Sequence, residues 1–167
     1  MSDPRLVHLD YWCELQCPDC REALDDIRAL RDRYGDALVI DLRHFPLERH
    51  KHAFIAAQAA EEAWAQGMLW PYVEGVLERT SELGERGEPV LLEVAEELGL
   101  DVEEMETALI DGRHILAVDA DHAEGQAIGV TGTPTYVLDG VRMDGGQSQE
   151  GLRLRLEELL DAKLAGA

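Results

Sequence analysis

Apolar residues recur along this chain with two periods, and the changes from one to the other predict its elements. Leu6, Val7, Leu9 and Tyr11 mark an extended segment from Leu6 to Tyr11. From Pro18 to Tyr34 the spacing lengthens: Cys20, Ala23, Leu24, Ile27, Leu30 and Tyr34 share one face of a helix that Gly35-Asp36 ends. Ala37 to Phe45 returns to a buried strand pattern (Leu38, Val39, Ile40, Leu42) that Pro46 stops. A long helical tract follows. It holds an Ala-rich helix over Ala53 to Ala65, a second lined by Leu69, Val73, Val76 and Leu77, a loop over Gly84 to Gly87, and a third helix opened by Pro89. Asp101 is placed to cap a helix carrying Val102, Met105 and Leu109, and another runs from His114 to Ile128.

After a turn over Gly129 to Thr133, two short strands, Thr135 to Leu138 and Val141 to Met143, flank Asp139-Gly140, a strong hairpin signal. Gln149 to Lys163 is helical, with Leu152, Leu156, Leu159 and Leu160 facing inward. The order is β-α-β, several helices, then β-β-α. No repeat, low-complexity tract or flexible linker interrupts it, so the middle helices read as inserted into one α/β fold.

Charge narrows the partners. The 167 residues carry 35 acidic and 15 basic side chains, a formal net charge of −20. Phosphate binding needs clustered Lys and Arg, so neither nucleic acid nor an anionic membrane surface is expected as a partner. No apolar run approaches the ~20 residues of a membrane span. Met-Ser-Asp-Pro-Arg lacks the pattern of an export signal, so a cytoplasmic location is expected. Three cysteines in a reducing compartment make no structural framework, and Cys-x-x-Cys beside a strand and helix reads as thioredoxin-like or metal-binding.

The chemistry concentrates at Cys17-Pro18-Asp19-Cys20, between the first strand and the first helix. The unpaired N–H groups and positive dipole end of a helix N-terminus favour a thiolate at the first cysteine. The second lies about one turn on, within reach of a disulfide. Gly132-Thr133-Pro134-Thr135 supplies a proline at the start of a strand, where its missing N–H costs nothing and a cis bond is accessible.

With both segments in place the chain resembles the DsbA-like branch of the thioredoxin superfamily over nearly its whole length. The resemblance implies a thioredoxin fold over residues 1–48 and 129–167, with an all-helical insertion over 49–128. It further implies a thiol–disulfide oxidoreductase in which Cys17 attacks and forms the mixed disulfide and Cys20 resolves it. Thr133 and Pro134, with Pro18 and Asp19 of the motif, would bind the disulfide partner. Expected partners are a protein or small-molecule disulfide and a redox-recycling protein. No metal or organic cofactor is implied, since electrons pass through the cysteines. Many relatives carry an acidic residue six positions before the first cysteine; Tyr11 stands there in this chain. Glu14, expected to face outward, Asp41 and Arg43 are left as alternatives for its role.

Asp19 beside Cys17 and the negative protein both disfavour a thiolate, and Arg21 offsets part of that. The expectation is a Cys17 more acidic than a free thiol but less so than in strong oxidants, working in a reductive or isomerising direction. Cys13 is expected as a small buried hydrophobe on the Tyr11 face of the strand, with a regulatory or resolving role as the alternative. Trp64, Trp70 and Tyr72 are expected in the core, with one or two of them lining a groove beside Cys17 as the alternative; Trp12, Phe45 and Leu47 are further groove candidates.

Three rivals remain. Cys13-x-x-x-Cys17-x-x-Cys20 is also the spacing with which radical SAM enzymes hold a four-iron cluster, although consecutive middle helices do not suit their barrel. A zinc site could join the cysteines to His50 or His52, which are otherwise expected on a solvated turn with Arg49 and Lys51. A small-molecule isomerase or transferase on a related fold is the third, disfavoured by the intact cysteine pair.

Overall fold

A computed structural model describes residues 6–145 and 151–166. β1 (Val7–Cys13) leads through the cysteine motif into α1 (Pro18–Tyr34), then through a tight turn at Gly35–Ala37 into β2 (Leu38–His44). The insertion follows as α2 (Ala53–Ala65), α3 (Leu69–Glu78), α4 (Thr80–Arg86), α5 (Glu88–Glu97), α6 (Val102–Asp111) and α7 (Ile115–Ala127). β3 (Thr135–Leu138), β4 (Val141–Asp144) and α8 (Leu152–Ala165) complete it. The sheet order is β2-β1-β3-β4, with β1 parallel to β2 and antiparallel to β3. The predicted start of the last helix at Gln149 lies outside the described residues. No helix among the described residues is long and apolar enough to cross a membrane.

Local chemistry explains the boundaries. Pro18 suits the first helical position because its missing N–H is one that a helix leaves unpaired anyway. Asp101 accepts a bond from the Glu104 N–H at 3.0 Å and caps α6 as expected. Asp139 and Gly140 both have positive φ, 49° and 77°, which a two-residue hairpin of this hand demands.

The expected loop over Gly84 to Gly87 is corrected: Gly84 lies inside α4, and the chain breaks at Gly87 and at Arg79. The Thr80 hydroxyl is shared between the carbonyl oxygens of Leu77 (2.7 Å) and Leu15 (3.1 Å). That contact ties the break between α3 and α4 to the loop preceding Cys17.

The main core lies between the sheet, α1, α8 and the inserted helices, and includes Leu9, Tyr11, Cys13, Cys20, Ile27, Tyr72 and Leu156. A smaller cluster of Trp12, Phe45 and Val130 forms apart from it. Tyr72 is buried as expected. Trp64 is not: it is 64% exposed, and Trp70 is half-buried under the Arg31 guanidinium, 4.1 Å above its ring.

Candidate functional site

Cys17 is the N-cap residue of α1, with extended backbone and no side-chain cap of its own. Its carbonyl accepts from the Cys20 and Arg21 N–H groups, both at 3.1 Å, while its own N–H donates to the Glu14 carbonyl at 3.1 Å. Pro18 and Asp19 therefore occupy the first turn, between the two sulfurs. The Cys17 Sγ donates to the Thr133 carbonyl at 3.6 Å, across 116 residues of sequence. The Thr133-Pro134 peptide bond is cis. Thr135 holds this segment by donating its hydroxyl to the Gly132 carbonyl at 2.8 Å, and the Gly145 N–H donates to the Pro134 carbonyl at 2.9 Å. The structure thus brings together Cys17, Cys20, Thr133 and Pro134.

Both sulfurs are buried, with Cys17 2% and Cys20 0% exposed. The hydrogen bond with Cys20, burial and the Coulomb effect of Cys20 push the Cys17 pKa up, against smaller opposing effects from Thr133 and the Cys20 backbone. The expectation of a Cys17 more acidic than a free thiol is therefore corrected. A helix N-terminus stabilises an anion by about 0.3–1 kcal/mol, up to ~2 kcal/mol when partly buried, which does not outweigh the desolvation of a buried thiolate beside a second thiol. Cys20 is also pushed up, by burial first and by Cys13, although Cys17 and the Glu14 N–H favour its ionised form.

Cys13 is buried at the end of β1 and its thiol lies within hydrogen-bond reach of Cys20. Tyr11, close to Cys13 and Cys20, stacks on Tyr136 with ring centroids 5.1 Å apart. Burial, followed by the nearby Cys13 and Cys20, pushes the Tyr11 phenol well above its ordinary range. The position six residues before Cys17 is accordingly uncharged.

Glu14 is also corrected: it is buried, not outward-facing, and its carboxylate meets His50 Nδ1. Burial raises its pKa, and His50 together with the Gln16 and Leu47 N–H groups recovers only part of the shift. Asp41 and Arg43 point elsewhere, Asp41 to His8 at 2.8 Å and Arg43 to Asp10 at 3.2 Å. His50 and His52 do not stand on a freely solvated turn. His50 is half-buried against Glu14, the His52 N–H donates to the Gln16 side chain at 2.7 Å, and the His52 ring packs over Gly87. A four-ligand zinc site built on the cysteines and His50 would have to break the Glu14 contact.

Trp12 is not an accessory to the sulfurs. Alternation along β1 sends it to the face opposite Cys13, where it meets Phe45 edge-on at 6.4 Å and Phe45 stacks on His122 at 4.5 Å. Phe45 is buried with it, whereas Leu47 lines a cleft with Val130 and Thr131, next to the turn that delivers Thr133. A second cleft of about 420 Å³ opens on the other side of the motif, lined by Pro18, Arg21 and residues 78–82. Thr80, Gln16 and His50 are supporting residues that no local pattern marks, because their partners lie 36 or more residues away.

The chain matches the family described as DSBA-like thioredoxin domain over residues 51–157. Among solved structures, it is similar to a thioredoxin-like oxidoreductase from Silicibacter pomeroyi DSS-3. That match has TM-score 0.75 and 24% identity, covering 95% of this chain and 90% of the other. It is also similar to oxidised BdbD from Bacillus subtilis, with TM-score 0.83 and 18% identity, covering 99% and 90%. Among curated proteins, it is 36% identical over 156 residues to a Na(+)/H(+) antiporter NhaA of Herminiimonas arsenicoxydans, covering 93% of this chain and 24% of that protein. A Na(+)/H(+) antiporter NhaA 1 of Mycolicibacterium vanbaalenii is 33% identical over 158 residues, covering 93% and 25%. The chain spans about a quarter of the length of the curated relatives it matches.

Proposed function

Because the chain belongs to the DSBA-like thioredoxin-domain family and has the fold of the thiol–disulfide oxidoreductases, we propose that Cys17 and Cys20 exchange electrons with a disulfide partner held at Thr133-Pro134. The observation that carries this reading is the Cys17 Sγ facing the Thr133 carbonyl at the N-terminus of α1. Cys17 loses its proton and attacks one sulfur of the partner disulfide. A Cys17–partner bond forms, the partner's own S–S bond breaks, and its second sulfur leaves and takes a proton. Cys20 then attacks Cys17, the internal disulfide forms, and the first partner sulfur leaves reduced. Two electrons have passed from this protein to its partner, and a dithiol protein must return them.

The net direction is reductive. A buried pair whose thiols are held protonated gains little from remaining reduced as thiolate, and that gain is what makes a strong oxidant. The exchange belongs in a reducing, cytoplasmic compartment where a dithiol donor is available. The raised Cys17 and Cys20 pKa values support this reading.

The test is trapping. Cys20→Ser should retain a partner covalently on Cys17, released by a small thiol, and Cys17→Ser should retain none. Equal capture by both variants, or none by either together with absent insulin reduction, would remove the activity. For the partner's class, the curated relatives point to a membrane cation antiporter, since in them a segment like this chain is part of proteins named for that transport. Trapping from solubilised membranes should then yield such an antiporter, and an exclusively soluble catch would exclude it.

A further inference from the structure

We propose that His44, Glu61 and Asp121 form a site for a divalent cation of zinc-like ligand preference, on the wall of the cleft beside the outer edge of β2. The three residues come from separate elements, the end of β2, the middle of α2 and the middle of α7. One donor atom from each lies within 4.8 Å of the other two. His44 Nε2 stands 2.8 Å from Glu61 Oε1, and the His44 backbone N–H donates to Asp121 Oδ2 at 3.1 Å, which ties that carboxylate to the end of β2.

The donor set suits the ion. Zinc takes imidazole nitrogen and carboxylate oxygen at 2.0–2.2 Å, so the ligand atoms of one tetrahedral ion stand about 3.4 Å apart. Spacings of 2.8 to 4.8 Å bracket that value, and side-chain adjustments on the order of 1 Å would close the shell. A neutral imidazole with two carboxylates carries a charge of about −2, which balances the ion. The competing group is Arg43, whose Nη1 lies 3.6 Å from Asp121 Oδ1. Arg43 has other acceptors in Asp10 at 3.2 Å and Glu124 at 3.5 Å, so it can release Asp121 without being left unpaired.

Access and readout are built in. The cleft has a volume of about 750 Å³ and is lined by Leu42, Arg43, Trp64 and Trp70 as well as the three ligands. An ion held by three protein groups on an open wall keeps a fourth position for water or a small anionic ligand. The cluster contains no sulfur, and the thiol exchange makes no use of it.

The experiment titrates Zn2+, and separately Co2+, into chelator-treated full-length protein with Cys17 and Cys20 oxidised, followed by calorimetry and tryptophan fluorescence. One ion should bind per chain, and Co2+ should quench the emission of Trp64 and Trp70. His44→Gln and Asp121→Asn should each weaken binding at least tenfold. Asp121→Asn keeps the shape of its side chain and serves if the buried His44 variant does not fold. Absence of saturable binding up to millimolar cation, or unchanged affinity in a folded Asp121→Asn protein, would overturn the site.

Discussion

Gly125→Ala tests how the segment carrying Thr133 is held in place. Gly125 lies in the last turn of α7, and the same change at an exposed helical site would add up to about 0.8–1 kcal/mol through helix propensity. Here a Cβ would stand 2.8 Å from Trp12 Cζ3 and 3.0 Å from both Trp12 Cε3 and Phe45 Cδ2. Those rings have no room to withdraw: Trp12 is 1% exposed, and it packs with Phe45 and Val130. Overpacking of this kind costs about 1–3 kcal/mol, so after the propensity gain the variant should lose about 1 kcal/mol. For a chain of this size that lowers Tm by roughly 2–4 °C. The effect should reach the site, because the Val130 N–H donates to the Gly125 carbonyl at 2.9 Å and anchors the turn leading to Thr133. Urea denaturation at constant m-value and the insulin reduction rate are the assays, and both stability and rate should fall. A variant more stable by about 1 kcal/mol would show that α7 does not press on Trp12 and that the account of this support is wrong.

Three further outcomes follow from the buried acids and thiols. Iodoacetamide labelling of Cys17 in the reduced protein should rise with a midpoint above the ~8.5 of a free thiol, and a midpoint at or below 7 would refute the argument from burial. Glu61 has its pKa lowered by the His44 hydrogen bond, so it adds stability above the unfolded carboxyl pKa that is lost as pH falls. In chelating buffer, Glu61→Gln should be less stable than the parent at pH 7 and converge with it near pH 3; a pH-independent difference would contradict this. Glu14 has the opposite sign: its raised pKa means the folded state holds the proton more tightly, so its contribution is lost as pH rises. Glu14→Gln should therefore gain on the parent between pH 4 and pH 7, and a variant that loses ground on the parent as pH rises over that range would count against the burial assigned to Glu14.

Much of the fold was legible because its signals are local. Pro18 and Gly35 bracket α1 at the predicted residues, Ala53 to Ala65 is helical throughout, and Asp139-Gly140 makes the hairpin. The residues of the candidate site were legible for the same reason: a cysteine pair one turn apart and a proline before a strand each stand out within four residues, and the fold places Cys17 against Thr133. The misreadings share another cause. Glu14 looks like a surface acid until His50 arrives from 36 residues away. Trp64 looks like core, but α2 buries its alanines and turns the indole outward. Trp12 lies one residue from Cys13, and strand alternation sends it to the other side of the sheet. At Cys17 the helix dipole is visible in the sequence, whereas its burial arises only when the distant Thr133 segment and the rest of the fold pack against it.

Equilibration of the protein with glutathione redox buffers tests directly whether Cys17 and Cys20 form the proposed reducing exchange pair. A single two-electron transition confined to Cys17 and Cys20, with a potential close to the ~−270 mV of thioredoxin, is the predicted result. A potential near the ~−120 mV of DsbA, or no transition assignable to this pair, would contradict the account.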